Sequence, residues 1–201
     1  MAVIEVPALI GFDGCKIGLL RATAEHRSPF TGKRQVVTSA FALWQFEGTV
    51  VPLQGADAGA ARSFLAELRG RANTFRLPIP AAGVPLSLYA GLQGQVSSAG
   101  VLGNSVPTSG WSPSAVVFRR GDYFNIGDEL KMATATVTSN GSGVATIPFE
   151  PSLRAAPAIN TIIKFQDPFL YLAAQDDDIA SWNLKDFNTH NMTIKATEAF
   201  E

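Results

Sequence analysis

Apolar side chains recur at every second position through much of this chain, the spacing of β-strands whose side chains point alternately to two faces. Between Val37 and Phe46 one face carries Val37, Ser39, Phe41 and Leu43, and the other Ala40, Ala42, Trp44 and Phe46. Both faces are largely apolar, which predicts a strand covered on both sides. Further strands are predicted at Val116–Phe118, Tyr123–Ile126, Leu130–Val137, Val144–Phe149, Ile159–Phe165, Phe169–Ala173, Ile179–Phe187 and Met192–Phe200. Leu130–Val137 and Val144–Phe149 are joined by Thr138-Ser139-Asn140-Gly141-Ser142-Gly143. Asn and Gly tolerate positive φ, so this segment predicts a hairpin turn.

A helical period occurs once, over Ala58–Arg69. Asp57 is its expected N-cap, because a carboxylate there can accept the first free backbone N–H groups. Ala61, Phe64, Leu65 and Leu68 share one face, and Gly70 suits the left-handed position that stops a helix. One helix among many short strands predicts a mainly β architecture.

The pattern changes near residue 78, where a Pro-, Gly- and Ser-rich passage begins and runs to Pro113. Leu86, Leu88, Leu92, Val96 and Val101 keep an apolar rhythm within it, which predicts an extended crossing strand. A first domain is therefore expected over residues 1–88, completed by 173–201, with a second small β domain over 89–172.

Composition narrows the functional classes. Lys and Arg number 16 against 17 Asp and Glu, a near-balance without the basic excess that gripping nucleic acid usually requires. Charged residues are 16% of the chain, well under the roughly 25% of an average soluble domain. That shortage suggests a surface partly covered by partners. Residues 1–100 carry 9 basic and 6 acidic side chains, and residues 101–201 carry 7 and 11. Halves of opposite sign suit copies that meet head to tail, although a solvated surface with chance asymmetry explains them equally. Glu5 and Pro7 interrupt the apolar start, and no stretch approaches the ~18 apolar residues of a membrane helix. The expectation is a soluble protein made in the cytosol, with no membrane insertion.

Candidate chemistry is sparse. Cys15 is the lone cysteine, so no intrachain disulfide or cysteine-based zinc site is possible within these residues. Its turn-like setting predicts a buried or edge thiol, not a nucleophile with His26 or His190 as base. His190 is expected at the surface or as a cap. Asp176-Asp177-Asp178 lacks the alternation, the Gly turn and the distal Glu of a calcium loop, and reads as a charged connection between strands. Of the aromatic residues 13 are Phe, 3 Trp and 3 Tyr. Sugar platforms favour Trp and Tyr, so the Phe excess speaks for packing. Trp111, in the Gly/Pro passage, is the tryptophan expected to be exposed. No catalytic residue, metal ligand or cofactor is expected.

Two blocks, read together, resemble one family. The first is Trp44-x-Phe46, Leu53 and the helix closing on Leu68-Arg69-Gly70-Arg71-Ala72-Asn73-Thr74-Phe75-Arg76-Leu77. The second is Arg120-Gly121-Asp122-Tyr123-Phe124-Asn125-Ile126-Gly127-Asp128-Glu129-Leu130, then the hairpin, then Phe149-Glu150-Pro151-Ser152-Leu153-Arg154-Ala155-Ala156-Pro157. A closing strand ends in Glu198-Ala199-Phe200. Their order and spacing over about residues 40–200 resemble distal tail proteins, the baseplate hub subunits of long-tailed, non-contractile phages and related prophages.

The resemblance implies a β-sandwich belt domain with one α-helix, plus a smaller β-barrel or galectin-like domain. It also implies a structural virion protein at the tail tip, assembled in the host cytoplasm. Its copies would form a hexameric ring joining the tail tube to hub and fibre proteins, without contacting nucleic acid. Trp44, Phe46, Leu68, Arg69, Gly70, Phe75, Gly121, Asp122 and Arg154 are its family-motif or subunit-interface candidates, with Phe46 expected to face a neighbouring copy. Two rivals stand beside it. One is a carbohydrate-binding β-sandwich using Trp111, Tyr123 and the Asp176–Asp178 loop. The other is an enzyme with a carboxylate pair assembled in space.

Overall fold

The computed structural model describes residues 2–79, 93–185 and 189–200. Its first strands are β1 (Val3–Glu5), β2 (Phe12–Arg27) and β3 (Arg34–Val50), followed by helix α1 (Gly55–Leu68) and β4 (Thr74–Pro78). A second group comprises β5 (Gln95–Val96), β6 (Gly103–Ser109), β7 (Val116–Phe118), β8 (Tyr123–Ile126), β9 (Glu129–Ala133), β10 (Val137–Thr138), β11 (Ala145–Leu153) and β12 (Ile163–Lys164). The chain then runs through β13 (Phe169–Ala174), a 3₁₀ turn (Asp177–Ala180), β14 (Asn183–Lys185), β15 (Thr189–Asn191) and β16 (Thr193–Glu198). The expected fold class holds: the protein is mainly β, with one α-helix among the described residues.

Two six-stranded sheets organise these elements. The first has the order β1-β4-β13-β16-β3-β2, antiparallel except for the β1–β4 pair. Alternation in β3 buries Ala42, Trp44, Phe46, Gly48 and Val50 on one face, and that face receives α1. Ala61, Phe64, Leu65 and Leu68 of the helix pack there with Phe75 and Leu77 of β4, the Phe64 and Phe75 rings meeting edge to face at 5.8 Å. The second sheet has the order β12-β8-β9-β11-β6-β5. It closes almost to a barrel, because Gln95 bridges Ile162 and Val96 exchanges backbone hydrogen bonds with Asn160 and Thr161, both 2.9 Å. Phe118, Phe124, Ile147 and Phe149 fill its interior, with Phe118 and Phe124 stacked at 4.7 Å.

Several expectations are corrected by this arrangement. The helix begins at Gly55, with Gln54 at the N-cap position and no side-chain cap; Asp57 lies inside the first turn. At the other end Arg69 (φ 50°) and Gly70 (φ 63°) both turn left-handed, so the chain stops where the Gly was expected to stop it. Strand β2, unmarked by any alternation in the sequence, pairs with β3 from Phe12 to Arg27. The doubly covered strand at Val37–Phe46 is covered on one face only, and Val37 is 62% exposed. Ile159–Phe165 contributes only Ile163–Lys164 as ladder, and Ile179–Phe187 is split into the 3₁₀ turn and β14. The stretch Phe169–Ala174, whose start was placed in the second unit, pairs within the first sheet. Leu86, Leu88 and Leu92 of the crossing strand lie outside the described residues. His190 is buried in β15 and bridges Leu53.

The hairpin turn forms, and its mechanism is visible. The side-chain oxygen of Asn140 accepts the N–H groups of Ser142 and Val144, each at 2.9 Å, and Gly143 takes φ 71°. Strand β10, however, pairs with β7, and β11 pairs with β9 only further on, at Phe149 and Glu150.

Trp111 is 4% exposed, in the barrel core, where its indole N–H donates to the Thr108 hydroxyl at 2.8 Å. The Gly/Pro passage misled here because its glycines make room for the ring: a Cβ at Gly94 would fall within the indole. We expect Gly94→Ala to lower the unfolding free energy by about 3 kcal/mol, the upper part of the usual overpacking range. Denaturant unfolding followed by tryptophan fluorescence measures it, and a change under about 0.5 kcal/mol would show that the barrel tolerates the methyl.

Candidate functional site

The period of β16 places Ile194, Ala196 and Glu198 in one buried row. A carboxylate therefore sits where two apolar residues precede it, its side chain only 3% exposed. Burying an ion without partners is prohibitive, so Glu198 must be met by donors. Its Oε2 accepts the backbone N–H of Trp44 on β3 at 3.0 Å and Nη2 of Arg154 at 3.3 Å. Arg154 follows β11, so this ion pair crosses from the second sheet to the first. The same Nη2 donates to the Ala42 carbonyl at 2.8 Å, and the guanidinium lies 3.1 Å from the Phe200 ring centroid.

A second pair lies alongside. Lys131 on β9 is 1% exposed and donates to Glu129 at 2.6 Å and to the Ser152 carbonyl at 3.0 Å. Glu129 also accepts the backbone N–H of Arg154 at 3.3 Å. The Trp44 indole N–H reaches across to the Leu130 carbonyl at 3.0 Å, and its ring meets Tyr123 of β8 edge-on at 5.8 Å. Two carboxylates and two cations thus close the joint between the sheets. Burial pushes Glu198 up to about 7, against the pull of the Trp44 N–H, Arg154 and Lys131, with Glu129 adding to the rise. Burial lowers Lys131 and Arg154, and the neighbouring carboxylates oppose both shifts. Beside the joint opens a cleft of about 420 Å³, lined by Ile126, Glu129, Leu153, Arg154, Tyr171 and Phe200 among others.

The other distinctive feature is a ribbon. Beyond the Arg21–Ala42 pair, β2 and β3 continue together to Arg27 and Arg34. The turn between them is held by Ser28 and Lys33, whose backbones bond at 2.9 Å. Phe30 at the tip is 96% exposed, and Val36 and Val37 are also exposed along the arm.

These two features reorganise the candidate residues. Trp44, Phe46, Leu68 and Phe75 are buried in the core shared by the first sheet and α1, so in the single chain they offer nothing to a partner. Phe46 in particular packs edge-on against Phe12 at 5.1 Å, and an Asp there would report on folding, not on assembly. Arg69 and Gly70 form the left-handed helix end. Gly121 and Asp122 shape the turn before β8, where the Asp122 carboxylate accepts the Arg119 N–H at 2.8 Å. Only Trp44 and Arg154 are brought together, both on Glu198. The sequence signal for Glu198 was available: it is the acid in an otherwise apolar alternating row.

The residues of the carbohydrate reading do not form a common open platform. Trp111 is internal, Tyr123 packs on Trp44, and Asp176 and Asp177 bind Arg71 through its side chain and backbone N–H. Cys15 is exposed on the edge strand β2. Among the described residues no group of three His, Cys, Asp or Glu could hold a metal ion, and no helix is long and apolar enough to cross a membrane. No protein-family model matches the chain, and no curated protein matches it.

Removing one member of a buried pair leaves the other charge unmet. Lys131→Ala is therefore expected to cost about 3 kcal/mol in denaturant unfolding, and Lys131→Met combined with Glu129→Gln to recover most of that loss. Equal losses in the two proteins would show that the charge pairing is immaterial and only the side-chain volume counts.

Proposed function

We propose that this chain is a structural subunit of a phage tail tip, of the distal tail type, acting as a homo-oligomeric ring and not as an enzyme. The observation that carries the reading is the arm. A two-stranded ribbon that leaves the sheet with Phe30, Val36 and Val37 in water is costly for a protein that acts alone, and apolar surface of this kind marks an interaction site. Beyond the arm, the support is the resemblance itself. Its motif residues serve as helix end, turn and sheet joint, roles suited to a scaffold. In this reading six copies close a ring whose neighbours are the tail tube protein on one side and hub and fibre proteins on the other. The virion tail tip is its location.

Native mass across concentrations, with images of the same sample, tests the proposal. A closed six-membered ring is expected, and a monomer at every concentration, even with tail tube protein added, would overturn it. Val37→Asp together with Phe30→Asp is expected to abolish the ring while leaving the β circular dichroism unchanged, since neither side chain belongs to the core. A ring that survives both substitutions would exclude the arm as the contact.

A further inference from the structure

We propose that the contact between Glu198 and Arg154 is a proton-sensitive clasp: uptake of one proton by Glu198 locks the two sheets together, and its ionisation loosens them. The geometry supplies three conditions. Glu198 belongs to the first sheet and its cation to the second, so parting the sheets separates the pair. The carboxylate is sealed when the joint is closed and hydrated when it opens. The adjoining cleft, which Arg154 itself lines, gives the guanidinium room to swing and water a way in.

The sign of the effect follows from the charges that face Glu198. From the second sheet these are Arg154, after β11, and Lys131 and Glu129 on β9; Tyr123 on β8 is the nearest phenol to Trp44. On its own sheet, β3 offers the Trp44 N–H, and the residue opposite on β13 is Leu172, which carries no charge. Burial outweighs the attraction of the two cations, so the closed joint holds its proton up to about pH 7, against 4.5 for an ordinary Glu. Opening thus releases a proton between those values. Stability from this group is greatest at and below pH 4.5, falls as pH rises toward 7, and is level above it. Acid closes the clasp; neutral to alkaline conditions weaken it.

Hydrogen exchange at the Trp44 amide reads the clasp directly, because that N–H is bonded to the carboxylate. After correction for the intrinsic exchange rate, the opening equilibrium of the wild type is expected to rise roughly 50-fold from pH 5 to pH 8. In Glu198→Gln, which stays neutral, it should be flat and close to the wild-type value at pH 5. The histidines are common to both proteins and cancel in the comparison. Identical pH dependence in the two would overturn the proposal. Carbon NMR of the Glu198 carboxyl in the wild type gives an independent check needing no variant. A midpoint near 7 supports the clasp, and one at or below 5 refutes it.

Discussion

A carboxylate closed away from water has to be met by donors, and in this protein the donors available within its own strand row are apolar neighbours. Glu198 follows Ile194 and Ala196 on the buried face of β16, so its cation must come from elsewhere. It comes from Arg154, beyond β11 on the other sheet, and Arg154 is positioned in turn by Glu129 and by the face of Phe200. An apolar contact between two sheets tolerates sliding. A charge-assisted bond aimed at one oxygen, with a second from the same guanidinium to a backbone carbonyl, does not. The buried charges therefore fix the relative register of the sheets at a point where hydrophobic packing alone would leave it loose.

How much of this was legible in the sequence differs from element to element, for physical reasons. Tyr123–Ile126 and Phe169–Ala174 emerge nearly at their predicted limits, because a strand buried on one face must alternate. Strand β2 escaped notice since Gly11, Gly14 and Gly18 interrupt any rhythm, and its strand character comes from a neighbour: β3 supplies the ladder. The helix start was misplaced because Asp57 has the chemistry of a cap, while the helix forms one turn earlier without a side-chain cap at all. Trp111 was misjudged for the reverse reason. Small residues around an aromatic suggest a loop in the sequence, yet Gly94 is small so that the ring can be enclosed.

The candidate site was legible in its members but not in its assembly. Trp44 and Arg154 were singled out as members of two distant blocks, and nothing in either block indicates that they meet on one carboxylate. Glu198 was visible as the acid ending an apolar row, a signal that becomes meaningful only once the strand's inward face is known. The remaining motif residues turn out to be turn and helix-end positions. Their chemistry is generic to β proteins, so it is their order along the chain, not any one of them, that bears on the kind of protein this is.

The joint and the arm are not independent features. Ala42, whose carbonyl takes the Arg154 bond, is the β3 partner of Arg21 in the ladder, and the register shift in β2 falls directly after Arg21. Arg21 itself reaches Glu150 of β11 at 2.6 Å. Two cations thus tie the root of the ribbon to one strand of the other sheet, one of them buried and one partly exposed. The exposed pair contributes little, since solvent screens it. The buried one then governs how firmly the root is held. An arm that projects from its sheet has its direction set at that root, because no core packs against its outer half. A change in the charge of Glu198 acts where the least displacement of backbone gives the greatest displacement of Phe30.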